Sequence, residues 1–477
     1  MFNRLEHTLE SFRGCFSREA TYGWFVVIVV GFLLRTDHLG MTSVVRDLAL
    51  DGSNYENLRH FFYSAAWSLD VLRYRWYTIV RDSGLVYAIN NRVVLAGDGV
   101  KASKEARYMP GVKKMVQESE DSSKGEFIFG HMFGAIGVLL GNAQFCCPLK
   151  FNIQEGLRAV AGWNGSFVSG ESHALQMVNN LFEAARVFGK SYALLDRYFL
   201  CAPLLIRLKE LNIASGHHAE NLLEIVTKAK SNAVAYTKPQ KACSRGRGRP
   251  RLKGEAVHLK DLWNNKRCFR SAAVHIYGRV ETVRYRCVNL LWGKGIYQEL
   301  RFVLVVLESG ERSILVSTDL TLSAAEIIEL YGHRFKIEGC FREFKQQFGG
   351  FSYHFWTKAL PKLNHFKRKN APEPVDSVTD EHDRDLVLRK LKAIEGFVLV
   401  ANIAMGITQM AALNSETNEV TKFRYLRTTT PTRISEATVM CFFRKQLFAF
   451  LINHPDSPIT RFIRERQTRD YAELEYA

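Results

Sequence analysis

The sequence predicts an α/β protein: a catalytic core of mixed helix and sheet, preceded by a helical N-terminal domain and interrupted by a mainly β insertion. Three observations carry this expectation. Two short apolar runs, Val93-Val94-Leu95-Ala96 and Tyr192-Ala193-Leu194-Leu195, lead into Asp98 and Asp196, as buried strands would that deliver an acid at their ends. Before residue 88, Leu5, Leu9 and Phe12 recur at spacings of four and three, the period of an amphipathic helix. Between residues 228 and 300 the chain turns basic and punctuated, with KPQKACSRGRGRPRLKG at 238–254 and strand-like stretches at 273–277 and 283–291.

Taken in order, residues 1–88 form the helical domain, expected to bind DNA. Residues 89–230 and 301–415 form the core, residues 231–300 the basic β-rich insertion, and residues 416–477 a C-terminal segment. Within the core, strands are expected at 93–96, 127–129, 135–140 and 192–195, and a helix over about 173–187. Further strands follow at 302–307 and 314–316. Ser323 with Glu326 three residues on has the capping-box pattern of a helix start. A polar stretch at 367–384 reads as an exposed loop, and the apolar stretch 386–413 as one or two buried helices.

At 477 residues, 47% of them hydrophobic, the chain is long enough for two or three structural units with at least one large core. The 65 Lys plus Arg against 48 Asp plus Glu leave a formal charge of +17, an excess that favours a polyanionic partner, nucleic acid first. The 9 cysteines show no Cys-x2-Cys spacing that would organise zinc or a redox couple, so they read as core residues in a reducing compartment. The run from Trp24 to Leu34 falls short of the roughly 20 residues that cross a bilayer and reads as a buried helix. With no basic leader running into a cleavage site, a cytoplasmic protein without a membrane partner is expected.

The helix expected from Ala324 contains Tyr331, Arg334, Glu338 and Lys345. At about 100° per residue these four project within roughly 60° of one another. One helix face thus presents an acid with a phenol and two cations. Beside that face lie Ile337, Phe341, Phe344 and Phe348, an apolar strip suited to packing on a sheet. Glu343 points roughly 140° away from Glu338, and is expected to face solvent.

Three carboxylates suit phosphodiester chemistry, because two divalent ions about 4 Å apart can activate an attacking water or hydroxyl and stabilise the departing oxygen. Hard oxygen donors favour Mg2+ or Mn2+. Each strand-end aspartate taken alone is more often a turn or helix-cap residue.

Asp98 within LAGDGVK, Asp196 within ALLDRYF, and the spacing Tyr-x2-Arg-x3-Glu-x6-Lys at Tyr331, Arg334, Glu338 and Lys345 together resemble the DDE transposases of bacterial insertion sequences. The segments KKMVQESEDSSKGEFIFGHMFG and STDLTLSAAEIIELYGHRFKIE resemble them too, and the likeness covers about residues 93–413. It implies a ribonuclease-H-like catalytic core with a β-rich insertion between the second Asp and the Glu. By this resemblance Asp98, Asp196 and Glu338 are the catalytic acids and bind two Mg2+ or Mn2+ ions. Tyr331, Arg334 and Lys345 contact transposon-end phosphates. The partners implied are double-stranded DNA, as inverted-repeat ends and target, and a second copy of the chain in a homodimer. Two other functions remain compatible with the sequence: a transposase-derived DNA-binding protein without transposition, and a related structure-selective nuclease.

Secondary signals are weaker. Arg247-Gly248-Arg249-Pro250 resembles an AT-hook core and reads as a phosphate-contacting loop through Arg247 and Arg249. Lys101, Lys104 and Arg107 follow the first acid and would guide DNA, or form a solvated charge run. His131 reads as a satisfied structural histidine, and Trp356 as a core residue.

Overall fold

The structure, a computed structural model, describes all residues except 38, 118–125, 164–169, 217–219, 240–250, 365, 367–371, 416–419, 424–432 and 469–477. Arg247 and Arg249 therefore lie outside the described residues, as do parts of the polar stretch and of the C-terminal segment. The fold class is mixed α/β. The chain divides into two compact units, the first formed by Met1–Val86, Gly99–His173 and Glu338–Ala477, the second by Tyr87–Asp98 and Ala174–Ile337.

The first unit opens with α1 (Phe2–Glu10), α2 (Glu19–Leu34), α3 (Met41–Asp47), α4 (Asn54–Phe61) and α5 (Leu69–Asp82). Helix α2 is the apolar run of the sequence. Having no polar face, it has no side to offer to water, and every residue from Phe25 to Leu34 is buried. It packs against α3, α4 and α10 (Glu381–Asn414). The side chain of Asp380 caps α10 by accepting from the Asp383 amide. By length and composition α10 is apolar enough to cross a membrane, yet 89% of its most apolar window is buried inside the protein. Packing on α2 and on a strand accounts for that hydropathy. The unit closes with α11 (Glu436–Asn453) and α12 (Pro458–Arg464), both against α2.

The second unit holds a sheet whose centre is parallel. After β1 (Ala88–Ile89), strand β2 (Arg92–Ser103) pairs in parallel with β6 (Ser191–Leu195), Val93 facing Ser191 and Gly97 facing Leu195. Strand β6 pairs in parallel with β7 (Leu223–Lys228). Helix α6 (His173–Phe188) precedes β6, and α7 (Ala202–Ala214) links it to β7, which is the connection that parallel strands require. Beyond β7 the sheet turns antiparallel. β13 (Arg312–Ser317), β12 (Gln298–Val306) and β11 (Arg279–Trp292) follow side by side, with β10 (Arg270–Ile276) hairpinned onto β11 and the short β8 (Val234–Tyr236) and β9 (Ala256–His258) at the far edge. The basic β segment is thus hydrogen-bonded into the same sheet through β11 and β12.

Strand β2 does not stop at Asp98, as the sequence suggested, but continues through Gly99 to Ser103. In the first unit that continuation neighbours β4 (Phe127–Leu140), which pairs antiparallel with β3 (Lys113–Val116) and β5 (Phe145–Ile153). The two strands expected at 127–129 and 135–140 are one strand, β4. Gly130 admits the close approach, because a Cβ there would stand 2.1 Å from the Ala102 carbonyl oxygen. Along the chain, then, β2, β4 and β5 are followed through α6, β6, α7 and β7 by two strands parallel to the first. This is the order of a ribonuclease-H-like core, with the aspartate in its first strand.

Candidate active site

The parallel register decides where the two aspartates stand. Gly97 is opposite Leu195, so the next residue on each strand, Asp98 and Asp196, leaves the pair at the same level on neighbouring strands about 4.8 Å apart. Gly97 is required by packing: a Cβ there would lie 2.8 Å from the Met177 sulfur of α6 and 2.9 Å from Leu195. β6 ends at Leu195, and the Thr227 hydroxyl of β7 donates to the Asp196 carbonyl at 3.0 Å, fixing the turn that carries Asp196.

Helix α8 (Ala324–Gly332) brings the phenol and the first cation to the same place. Its start is held by the expected Ser323–Glu326 capping box, and Glu326 accepts a further hydrogen bond from the Asn90 amide beside β2 at 2.8 Å. Its end is held by Gly332 against Ile276 of β10 and by the His333 ring edge-on to Tyr87 at 5.5 Å. From this anchored end the Arg334 guanidinium forms a hydrogen-bonded ion pair with the Asp98 carboxylate. Burial pushes the Tyr331 phenol well above its ordinary value; the Arg334 charge opposes this, while Asp196, Tyr277 and Asp98 add to it. Tyr331 consequently stays protonated, close enough to Asp196 and Asp98 to feel both charges. The second unit therefore gathers Asp98, Asp196, Tyr331 and Arg334.

The expected single helix through all four motif residues is broken. α8 ends at Gly332, residues 333–335 form a tight turn with three-residue hydrogen bonds (Arg334 N–H to Tyr331 O, Ile337 N–H to Arg334 O), and α9 (Lys336–Gln346) begins anew. Glycine weakens a helix interior, and Gly332 is spent on close packing instead of helix continuity. The shared 60° face thus does not extend across the turn. Glu338 in the first turn of α9 and Lys345 in its last belong to the first unit, and both are exposed. The apolar strip behaves as expected, with Ile337, Phe341, Phe344 and Phe348 all buried, Phe344 edge-on to Phe151 at 4.9 Å. Glu343 does not face solvent as predicted: it is less exposed than Glu338 and pairs with Arg342 at 3.0 Å.

Residues 168–357 match the protein family described as the transposase DDE domain. The matched stretch includes Asp196, Tyr331, Arg334, Glu338 and Lys345, while Asp98 precedes it. A solved structure, the cryo-EM structure of the piggyBac transposase synaptic complex with hairpin DNA, is similar at a TM-score of 0.39 and 13% identity, over 96% of this chain and 76% of that one. No curated protein matches the chain.

As a divalent-ion site, the paired aspartates of the second unit offer the right donor chemistry. Asp98 and Asp196 are hard oxygen ligands side by side, with neither thiol nor imidazole among them. Among the described residues no group of three or more His, Cys, Asp or Glu side chains is gathered closely enough to hold a metal. The cation now facing Asp98 is Arg334.

Several secondary expectations change. Lys104 is not presented to a DNA phosphate: its amine donates to the Phe351 and Tyr353 carbonyls and lies 3.9 Å from the Tyr353 ring centre. Lys101 donates to the Val116 carbonyl at 2.8 Å. His131 is the satisfied histidine expected, fully buried between the Tyr353 hydroxyl at 2.6 Å and the Pro110 carbonyl at 2.8 Å. Trp356 is not a core residue; it is 53% exposed. Sequence reasoning also missed the exposed pair Tyr277 and Phe335, rings 5.4 Å apart, which stand beside Arg334 in sequence and Tyr331 in space. The only available signal was Tyr277-Gly278 at a hairpin tip, and nothing local ties that tip to residue 335.

Proposed function

We propose that the chain is a DNA transposase that cleaves the inverted-repeat ends of its own element and joins them to target DNA. Water attacks the phosphorus at the element's end, a new P–O bond forms, and the P–O3′ bond breaks to release a 3′ hydroxyl. That hydroxyl then attacks a phosphorus in target DNA, displacing its 3′ oxygen. No covalent protein intermediate is needed. The observation that carries this reading is the side-by-side placement of Asp98 and Asp196, with Arg334 paired to Asp98 and the protonated Tyr331 nearby, in a chain whose residues 168–357 match the transposase DDE domain.

Asp98, Asp196 and Glu338 are the residues that would hold two Mg2+ or Mn2+ ions, and those ions when bound supply Lewis-acid activation of the attacking and departing oxygens. Tyr331 donates a hydrogen bond, and Arg334 and Lys345 supply positive charge, to the phosphates flanking the scissile bond. Lys101, Arg247 and Arg249, with the helical segment 1–88 and the basic insertion 231–300, extend the contact along double-stranded DNA. Two ends must be joined, so the active species is a homodimer on DNA, in a bacterial cytoplasm.

The test uses the full chain, Mg2+ and a duplex copied from the DNA bordering its gene. Asp98→Ala, Asp196→Ala and Glu338→Ala should each lower cleavage by on the order of a thousandfold or more. Undiminished cleavage in any of them removes that residue from the reaction, and in all three removes the enzyme. Cleavage without joining to a second duplex identifies a structure-selective nuclease; binding without cleavage by the wild type identifies a DNA-binding descendant.

A further inference from the structure

We propose that Arg35 and Lys104 are positioning residues for α9: two internal cations that hold residues 348–353 by their carbonyl oxygens and so set where Glu338 and Lys345 stand. The importance of that placement rests on the reading of Glu338 given above. The device itself rests on contacts within the first unit.

Arg35 directly follows α2 and is 1% exposed. Its guanidinium donates to the Phe348 carbonyl at 2.9 Å, the Gly349 carbonyl at 3.2 Å and the Gly40 carbonyl at 2.9 Å. Among the described residues no carboxylate lies within ion-pair distance of it. Asp37 and Asp47 act on its charge only through space; a buried charge without a contact ion pair is costly, and the carbonyls it meets explain why it is kept. Phe348 and Gly349 lie two and three residues past the end of α9, in the turn that follows it.

Two glycines make the approach possible. Gly349 has φ +50°, and a Cβ on it would stand 2.9 Å from the Arg35 guanidinium. Gly40, at φ +69°, faces the Ser352 carbonyl, 2.9 Å from where its own Cβ would be. Arg35 and Gly40 thus both lie directly against residues 348–352.

Lys104 completes the grip further along. Its amine donates to the carbonyls of Phe351 and Tyr353, and the Tyr353 hydroxyl is held in turn by His131. The clamped segment is joined rigidly to the helix. Gly350 N–H bonds the Phe344 carbonyl at 2.9 Å, and the rings of Phe344, Phe351 and Phe151 interlock at centroid distances of 4.9 to 6.3 Å. Displacing residues 348–353 therefore displaces α9. Desolvation lowers Arg35 to about 10 and Lys104 to about 8, as expected of cations that have traded water for carbonyl oxygens.

The experiment compares full-length Arg35→Met, Arg35→Lys and Lys104→Met with wild type and with Glu338→Ala. Amide hydrogen exchange is read on peptides covering 336–353 and, as an internal reference, 397–408 of α10. Cleavage kinetics on the cognate duplex are read in parallel. Arg35→Met should exchange at least about tenfold faster over 336–353 with α10 unchanged, and lose about tenfold in kcat with KM unaltered; Arg35→Lys should recover part of both. Exchange that rises equally in α10, or wild-type exchange and kcat in both Met variants, overturns the proposal. Should Arg35→Met fail to fold, Lys104→Met carries the same readouts. If Glu338→Ala cleaves like wild type, the chemistry assigned to Glu338 falls, while the exchange data still decide the clamp.

Discussion

Removing Arg334 should tighten divalent-ion binding while weakening catalysis. The guanidinium is hydrogen-bonded to Asp98, and the two side chains are only 15% and 20% exposed, so water screens the pair weakly. At an effective dielectric near 20, two unit charges about 4 Å apart attract by about 4 kcal/mol. The net value of a hydrogen bond between charged groups is smaller, about 1.5–3 kcal/mol. An ion that takes the Asp98 carboxylate from Arg334 must offset that amount. In Arg334→Met the competitor is gone and the side-chain volume is kept, so Mn2+ should bind roughly 10- to 100-fold more tightly to DNA-free protein. Cleavage should nevertheless fall by about a hundredfold, because a cation facing the scissile phosphate has been lost. Calorimetric titration with Mn2+ measures the first effect and end cleavage at saturating Mn2+ the second. Mn2+ affinity equal to or below wild type would refute the competition and leave Arg334 as an orienting partner of Asp98.

Other expectations follow from the same contacts. Burial lowers His131 from 6.5 to about 3, so the unfolded chain takes up a proton in that interval that the folded chain refuses. Stability should thus fall as pH drops from 6.5 toward 3, by up to about 1.4 kcal/mol per pH unit; in denaturant melts His131→Gln should flatten that slope, and an unchanged slope assigns it elsewhere. Gly130→Ala would push a methyl group into the Ala102 carbonyl at 2.1 Å, where neither strand has a flexible side chain to move. A loss of about 3 kcal/mol or more is expected, seen as a lowered Tm, and a wild-type Tm would mean that β4 can shift away from β2.

What was legible in the sequence was whatever depends on neighbours along the chain. The apolar runs before Asp98 and Asp196 became β2 and β6 because a strand buried on both faces needs side chains that tolerate no water on either side. The Ser323–Glu326 box became a cap because its two hydrogen bonds close within one turn. The featureless apolarity of α2 and of residues 386–413 became central helices of the first unit for the same local reason.

Two of the misreadings involve a partner distant in sequence. Period alone carried the signature helix straight through residue 332, but Ile276 of β10 lies against Gly332, and the helix ends there. Trp356 has the composition of a core residue yet stands 53% exposed. Lys104 resembles a DNA-facing charge until the carbonyls of Phe351 and Tyr353 reach its amine, and Glu343 was assigned to solvent before α9 had neighbours on that side. The sequence by itself determined the strands, the acids they carry and the spacing of the phenol, the cations and the glutamate, since these follow from hydropathy and backbone period. Only the tertiary structure decided that Asp98 and Asp196 share a level, that Arg334 turns onto Asp98, and that Glu338 rides on a separate helix held by buried cations. Each of those depends on strand register or on packing against residues about a hundred positions away or more, and no local pattern encodes such distances.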